Sequence, residues 1–226
     1  TCVGCGECVQ ACPTGALMPS KEVGQVVPDK KVDSVCPYCG VGCLLTYNIK
    51  DDKILFAEGR DGPANMSRLC VKGRYGFNYV NSDQRLTVPL ARKKGVSKDI
   101  NPEDFDLNKI ENYFEPISWD EAIKRTTEKF KSLVMSDSRS TAGFGCAKGS
   151  NEEAYLFQKL VRTGFRNNNV DHCTRLCHAS SVVALLEMIG SGAVSNQVAD
   201  VAEAETIIVI GANPTVNHPV AATFIK

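Results

Sequence analysis

The first four cysteines of the chain are closely and regularly spaced. Two, two and three residues separate them, and a proline follows the last: Cys2, Cys5, Cys8, Cys12, Pro13. This spacing is typical of [4Fe–4S] ligation, in which three thiolates on a tight turn bind one cubane and the fourth cysteine serves a second cluster. The alternative is zinc, but zinc sites usually pair two C-x-x-C units that lie far apart. The spacing therefore favours iron–sulfur ligation and electron transfer.

A second group combines three close cysteines with a distant one. Cys36, Cys39 and Cys43 are separated by two and three residues, and Cys70 follows much later. Between them, residues 44–50 and 54–58 alternate like two strands with Asp51-Asp52 at the turn. Such a hairpin would bring Cys70 back beside the other three thiols, as a four-cysteine cubane requires. Zinc is again the alternative, although this spacing is unusual for it.

Cys177 and His178 are a third candidate site. They directly precede a predicted apolar helix over residues 179–189, and a thiolate near a helix N-terminus is a good ligand for a soft metal. From this stretch alone, a buried cysteine beside a hydrogen-bonded histidine is the better interpretation. Cys146 is predicted to be a small buried residue, and Cys173 to be structural.

The elements around these residues predict an α/β arrangement from Trp119 onward. Ser118 is a predicted N-cap, a strand is expected within 140–146, and a helix over 151–166. Residues 205–211 (ETIIVIG) have the composition of a buried parallel strand that runs into a Gly/Asn turn and a helix. Such a helix start can bind phosphate through free backbone N–H groups. The helix 151–166 is expected to turn five side chains inward: Leu156, Phe157, Leu160, Val161, Phe165.

Composition narrows the class of protein. The chain has 226 residues, 43% of them hydrophobic and 23% charged, which is typical of a globular domain. Its net charge of +0 gives no indication of nucleic-acid binding, and no apolar run approaches the roughly 20 residues that span a bilayer. Residues 18–34 are predicted to be a linker. Both ends look cut, with the last residues inside a helix, so we expect a segment of a longer polypeptide.

Longer stretches resemble known families. Residues 1–17 resemble the second half of a two-cluster ferredoxin domain. CPYCGVGC at 36–43 and CVKGRYG at 70–76 resemble the start of the molybdopterin oxidoreductase family, as do RLTVPL at 85–90 and ISWDEA at 117–122. The resemblance implies a mixed α/β fold. Its parts would be the end of a ferredoxin-like 2[4Fe–4S] domain with linker (1–34), a small β-rich [4Fe–4S] domain (35–90), and the first part of a dinucleotide-binding-like, molybdopterin-binding catalytic domain (91–226).

The resemblance also implies cofactors and residue roles. Members of this family bind molybdenum or tungsten through two molybdopterin guanine dinucleotides, and the lysine matching Lys72 bridges cluster and pterin. Residues 168–178 (NNVDHCTRLCH) resemble the formate dehydrogenase branch, which implies that Cys177 ligates the metal and that His178 relays a proton as formate is oxidised to carbon dioxide, or in the reverse reaction. Contacts to the pterin cofactor are implied for four residues: Asn151, Gly211, Asn213, His218.

Other interpretations stay open. A nitrate, arsenite or polysulfide enzyme of the same family differs around the metal ligand, and an electron-transfer subunit of the complex I type shares the fold without the metal. The resemblance implies formate or carbon dioxide as substrate, a cytoplasmic location, and diaphorase, ferredoxin or hydrogenase partner subunits. It also implies that a substrate-orienting arginine lies beyond Lys226.

Overall fold

A three-stranded antiparallel sheet follows the first cysteines. In the computed structural model, which describes residues 2–19 and 27–225 apart from the Pro102 side chain, the strands are β1 (Lys30–Val35), β2 (Leu44–Lys50) and β3 (Lys53–Gly59), in that order across the sheet. Asp51 and Asp52 have φ of 49° and 57°. Two consecutive left-handed residues form the tight turn that matches strand twist. The predicted hairpin is therefore confirmed.

The predicted linker over 18–34 is wrong where it overlaps β1, and its residues 20–26 lie outside the described residues. Lys30–Val35 pairs with β2 in full register from Lys30 opposite Ile49 to Val35 opposite Leu44. β1 lies at the edge of the sheet, where charged side chains prevent pairing with other chains. These charges weaken the alternation of apolar and polar residues by which a strand is recognised in a sequence. Strand pairing, which local composition does not reveal, therefore decides its structure.

Chain contacts divide the protein into two units, the first comprising residues 1–85 and 179–226 and the second residues 86–178. The first unit also contains α1 (Glu7–Ala11), α2 (Val71–Tyr75) and a short 3-10 helix at Gly76–Asn81. Its core includes Leu45 and Leu69, which are 0% and 2% exposed, together with Val41, Cys43 and Val220. Cysteine side chains are thus part of the wall of this core.

The second unit begins with an antiparallel pair of short strands, β4 (Leu90–Arg92) and β5 (Phe114–Pro116). The helix α3 (Trp119–Ser136) follows, and Ser118 accepts a hydrogen bond from the Glu121 N–H as a predicted N-cap should. Short 3-10 helices in this unit span Pro102–Asp104, Leu107–Asn112 and Ser138–Ser140.

A strand–helix–strand unit completes the second unit. It consists of β6 (Gly143–Gly145), α4 (Asn151–Lys159), a π-helical turn (Leu160–Gly164) and β7 (Val170–His172), with β6 and β7 parallel. The short helix α5 (Thr174–Cys177) comes next. A parallel pair joined by a helix is the building block of α/β folds. The predicted mixture of helix and strand is confirmed at this coarse level.

The chain then returns to the first unit. It forms α6 (Ala179–Ile189), a 3-10 helix (Val198–Glu203), α7 (Pro214–Asn217) and α8 (Pro219–Ala222). The predicted helix over 179–189 is confirmed, and Gly190 ends it with φ 73°. None of the helices in the described part of the chain is long and apolar enough to cross a membrane.

Other predictions are corrected. Residues 205–211 form no strand, and Ile208 and Ile210 are 77% and 85% exposed. A parallel strand needs a neighbouring strand, and composition supplies none. The helix predicted over 151–166 changes to a π-helical turn at Leu160. Of its predicted inward residues Val161 and Phe165 are buried, whereas Leu156 and Leu160 are exposed. The final helix ends at Ala222, before the predicted point.

Candidate metal centre

The second group of cysteines surrounds one cavity. Cys36 directly follows β1 and Cys43 directly precedes β2, and the Cys36 N–H donates to the Cys43 carbonyl oxygen over 2.9 Å. Cys70 is the N-cap residue of α2. All four thiols, including Cys39, line a cavity of about 140 Å³. We call these four residues the cysteine cradle.

A buried asparagine closes the cradle. Asn65 is fully buried, and its side-chain oxygen accepts from the Leu44 N–H at 3.0 Å. Its amide group donates to the carbonyl oxygens of Leu44, Arg60 and Arg68 at 3.0, 3.2 and 3.0 Å. It thereby ties the residue after Cys43 to the segment before Cys70. A lone asparagine in a polar loop gives no sequence signal for this role.

The chemistry of the cradle fits a metal cluster. Burial, together with the neighbouring thiols of Cys36, Cys39 and Cys70, raises the pKa of Cys43 to about 12. Four thiolates so close together in an apolar setting need a bound cation to offset their charge. Among the described residues, no three His, Cys, Asp or Glu side chains are placed to hold a single metal ion. Thiols arranged around a cavity can each reach a separate iron corner of a cubane.

Lys72 lies on the wall of the same cavity, in the first turn of α2. The following residue, Gly73, is buried, and a Cβ at its position would lie 3.5 Å from Cys36 Sγ and 3.2 Å from Leu69 Cδ2. The small residue therefore lets α2 pack closely against the cradle. The sequence C-V-K-G thus places a thiol, a cation and a close-packing glycine on one turn.

A segment far downstream in the sequence forms the rest of the wall of the cradle cavity. Its lining includes Val216, Asn217, Pro219 and Val220, from α7, α8 and the junction between them. We predicted this region as a phosphate-binding turn, but the strand that should lead into it is absent and each helix has four residues. The contribution of this segment to the cradle was missed, because nothing in the sequence links it to cysteines so far upstream.

The N-terminal cysteines flank or belong to α1. Gly6, with φ 75°, is its N-cap residue, and Cys8 lies within it. The Cys12 thiol lies 3.4 Å from the Thr14 hydroxyl. That hydroxyl and the backbone N–H groups of residues 14, 16 and 17 lower the pKa of Cys12 to about 7. A thiol that ionises near neutral pH is suited to iron ligation.

Cys177 and His178 are both exposed. Cys177 is the last residue of α5 and His178 is its C-cap, with Cys177 Sγ 3.9 Å from His178 Nδ1. The predicted position, directly before α6, is confirmed, but the buried alternative is wrong for this cysteine. Cys146 is also exposed, contrary to prediction. Cys173 accepts a hydrogen bond from the Ala147 N–H at 3.3 Å.

The segment before Cys177 is held by local contacts. Arg175 donates to Asp171 over 2.9 Å, and Thr174 Oγ1 lies 2.6 Å from His172 Nδ1. The pKa of Asp171 is lowered, first by the His172 backbone N–H and then by the Arg175 guanidinium. Residues 171–178, which we call the ligand segment, therefore present Cys177 and His178 on a short helix with its own hydrogen bonds.

The predicted pterin contacts fall in both units. Asn151 opens α4 in the second unit, after a capping box between Ser150 and Glu153. Gly211, with φ 65°, Asn213 and His218 belong to the first unit, and all three are exposed. Asn213 Oδ1 accepts from Thr215 Oγ1 at 2.6 Å. These assignments remain predictions.

A larger cavity of about 700 Å³ lies in the second unit. Its lining includes Lys148, Arg162 and His172, together with Gly145 and Gly149. The two acidic side chains Glu153 and Asp171 also line it, so the formal charges of Lys148 and Arg162 are balanced and the lining does not select an anionic ligand.

Comparison with protein families gives three adjacent matches. Residues 1–18 match a 4Fe-4S binding domain, residues 29–82 a molybdopterin oxidoreductase Fe4S4 domain, and residues 85–226 a molybdopterin oxidoreductase domain. These matches support both predicted kinds of cofactor, [4Fe–4S] clusters and a molybdopterin.

Similar curated proteins carry formate dehydrogenase names. The F420-dependent formate dehydrogenase 2 subunit alpha of Methanococcus maripaludis is 38% identical over 194 residues, which cover 85% of this chain and 26% of that protein. Proteins provisionally named formate dehydrogenases, from Staphylococcus haemolyticus and Staphylococcus aureus, are 32% identical over 268 aligned positions, covering 100% of this chain and 26% of theirs. The chain thus spans about a quarter of the length of these relatives.

Proposed function

Because the chain belongs to the molybdopterin oxidoreductase family, we propose that it forms part of the catalytic subunit of a formate dehydrogenase. The reaction is the two-electron oxidation of formate to carbon dioxide and a proton, or its reverse. The observation that carries this proposal is the exposed Cys177-His178 pair, in a chain whose cysteine cradle surrounds one cavity. The names of the similar proteins support formate as the substrate.

Cys177 would bind molybdenum or tungsten, with two molybdopterin guanine dinucleotides supplying further sulfur ligands. When bound, this cofactor supplies a two-electron acceptor, and the [4Fe–4S] clusters supply one-electron carriers. His178, beside the thiol at 3.9 Å, would take up the proton released from formate. An imidazole titrates near neutral pH and is suited to that task.

Lys72 would lie between the cradle and the pterin. Its place on the cavity wall with the four thiols supports this role. A positive charge beside a thiolate-ligated cluster favours the reduced, more negative state, since opposite charges attract strongly where water is scarce. Lys72 would therefore favour arrival of an electron at the cradle.

Asn151, Gly211, Asn213 and His218 are proposed to contact the pterin dinucleotides. The left-handed backbone of Gly211 and the exposed polar groups of Asn213 and His218 are compatible with close approach of a phosphate.

The electrons would pass to a partner subunit of the diaphorase, ferredoxin or hydrogenase type. The ferredoxin pattern of Cys2, Cys5, Cys8 and Cys12 supports an iron–sulfur path in that direction. The printed name of the Methanococcus relative couples that protein to F420. We propose a cytoplasmic location for the complex.

The second candidate is an electron-transfer subunit of the complex I type. It is favoured by one observation, namely that the cradle is built by the first unit without any contribution from Cys177. Such a subunit would bind iron but neither pterin nor molybdenum or tungsten.

Metal and pterin analysis of the full-length protein separates the two candidates. We expect molybdenum or tungsten, pterin and iron together, and formate-dependent viologen reduction that disappears in Cys177→Ala. The matched control is Cys173→Ala, the same change on the same segment, which should retain activity. Iron without pterin would contradict the proposal and leave the electron-transfer subunit.

A further inference from the structure

A buried arginine joins the N-terminal cysteine segment to the cysteine cradle. Arg74 is 5% exposed, although it is charged. Its Nε donates to the Cys5 carbonyl oxygen at 2.8 Å and one terminal nitrogen donates to Gln10 Oε1 at 2.8 Å. The other terminal nitrogen pairs with the Glu7 carboxylate. All three acceptors lie within residues 5–10, between and around the first cysteines.

The backbone of Arg74 belongs to the cradle. It lies in α2, and its N–H donates to the Cys70 carbonyl oxygen at 3.1 Å. One residue therefore contacts the main chain of a ligand from each group, Cys5 through the side chain and Cys70 through the backbone.

The acceptors of Arg74 are themselves fixed. Glu7 Oε1 accepts from the Leu69 N–H at 2.8 Å, one residue before Cys70. Gln10 donates to the carbonyl oxygens of Gly59 and Ser67, both at 3.1 Å, and accepts from the Gly59 N–H at 2.9 Å. We call Arg74, Glu7 and Gln10 the arginine clamp.

Gly6 shows how closely the two segments approach. A Cβ at its position would overlap the Arg74 side chain and the Tyr75 hydroxyl. Its φ of 75° is also one that side chains disfavour. A larger residue at this position would therefore force α1 and α2 apart.

We propose that Arg74 is a positioning residue for electron transfer. It fixes the distance between the cluster bound by Cys2, Cys5 and Cys8 and the cluster of the cradle. This inference rests on the electron path of the proposed function. Electron tunnelling slows steeply as two centres move apart, so a rigid contact between their ligand segments controls the rate. The planar guanidinium reaches three acceptors at fixed angles, which a lysine ammonium on a flexible chain does not reproduce.

The test measures magnetic interaction between the two reduced clusters in the full-length holoenzyme. Dithionite reduces the clusters directly, so the readout does not require formate chemistry. The variants are Arg74→Gln and Arg74→Lys, with Arg92→Gln as the matched control on an exposed arginine of the other unit. In Arg74→Gln we expect full iron content but loss of the spin–spin splitting seen by electron paramagnetic resonance, with partial recovery in Arg74→Lys. The control should match the wild type.

Gly6→Ala tests the same contact by a change in the N-terminal cysteine segment instead of in Arg74. We expect it to keep its iron and to weaken the splitting, because the added methyl group displaces the Arg74 side chain. Unchanged splitting in both Arg74→Gln and Gly6→Ala would overturn the proposal. So would loss of iron that parallels the loss of splitting in every variant, since Arg74 would then support cluster insertion and not cluster distance. If the wild-type protein shows the splitting but contains no pterin, the formate dehydrogenase assignment is refuted and the Arg74 proposal stands.

Discussion

The cysteine cradle and the ligand segment present cysteines in opposite ways. In the cradle, Cys43 is 6% exposed and packs in the core with Leu45 and Leu69, and a fully buried Asn65 ties the flanking loops together. In the ligand segment, Cys177 and His178 are exposed and the supporting hydrogen bonds are local. The cradle is thus part of the fold, whereas the ligand segment leaves Cys177 and His178 open to solvent. Changes in the first should affect stability and activity together, and changes in the second should affect activity alone.

The largest effect is expected from Cys43→Ser. It removes one of the four proposed ligands from a buried site, where metal binding and folding free energy are linked. We expect loss of the cradle cluster, destabilisation of the first unit by roughly 3 kcal/mol or more, and no formate oxidation. Iron content and unfolding of the full-length protein in urea measure these effects. Cys146→Ser, an exposed position, is the control, and full iron in Cys43→Ser would disprove ligation by Cys43.

His178→Gln should separate activity from stability. The amide preserves much of the shape but does not exchange a proton near neutral pH, so we expect formate oxidation to fall about 100-fold or more with stability unchanged within about 0.5 kcal/mol. The pH dependence of kcat should also lose the step that belongs to the imidazole. A rate and pH profile like those of the wild type would exclude His178 from proton transfer.

Asn65→Ala should weaken the cradle without removing a ligand. It removes the side-chain partner of the Leu44 N–H and of the Arg60 and Arg68 carbonyl oxygens, whereas the Leu44 carbonyl oxygen still accepts from the Arg60 N–H at 3.0 Å. The expected cost is about 3 kcal/mol. Faster release of iron in urea is the expected readout. The exposed Asn108→Ala, whose side chain donates to Asp106 within its own turn, should change stability by less than about 0.5 kcal/mol. Equal behaviour of the two variants would mean that Asn65 does not support the cradle.

The smallest effect is expected when the pH is lowered and the Asp171 carboxylate of the ligand segment becomes protonated. The folded pKa of Asp171 is lowered by the His172 N–H and by Arg175, so its stabilising contribution is present above the unfolded pKa and is lost as pH falls through the lowered folded value. Because the carboxylate is exposed, the effect should be local. The protection factor of the His172 amide, which is its exchange rate relative to an unstructured amide at the same pH, should fall at low pH in the wild type and be less pH-dependent in Asp171→Asn. Identical pH dependence in the two proteins would show that this contact is not formed in solution.

Local patterns predicted the features that depend on local chemistry. The Asp51-Asp52 turn, the Ser118 cap and the helix over 179–189 are encoded by neighbouring residues and were found. The hairpin also explains why Cys70 joins Cys36, Cys39 and Cys43.

Features that depend on distant partners were not predicted. The composition of 205–211 suggested a strand, but pairing requires a neighbour that composition does not specify. No role was predicted for Arg74, and only its contacts with Cys5, Glu7 and Gln10 show why it is buried. The burial of Val220 was not predicted either. It packs in the core beside Cys43 because the folded chain returns there, which no local pattern indicates.

The most direct test of the central claim is reduction of the clusters by formate in the full-length protein. Electron paramagnetic resonance should show reduced [4Fe–4S] clusters after formate is added to the oxidised wild type. In Cys177→Ala the same clusters should stay oxidised with formate and become reduced with dithionite, because the cradle is intact and only the formate site is lost. Formate-reduced clusters in Cys177→Ala, or none in the wild type although it contains molybdenum or tungsten and pterin, would contradict the account.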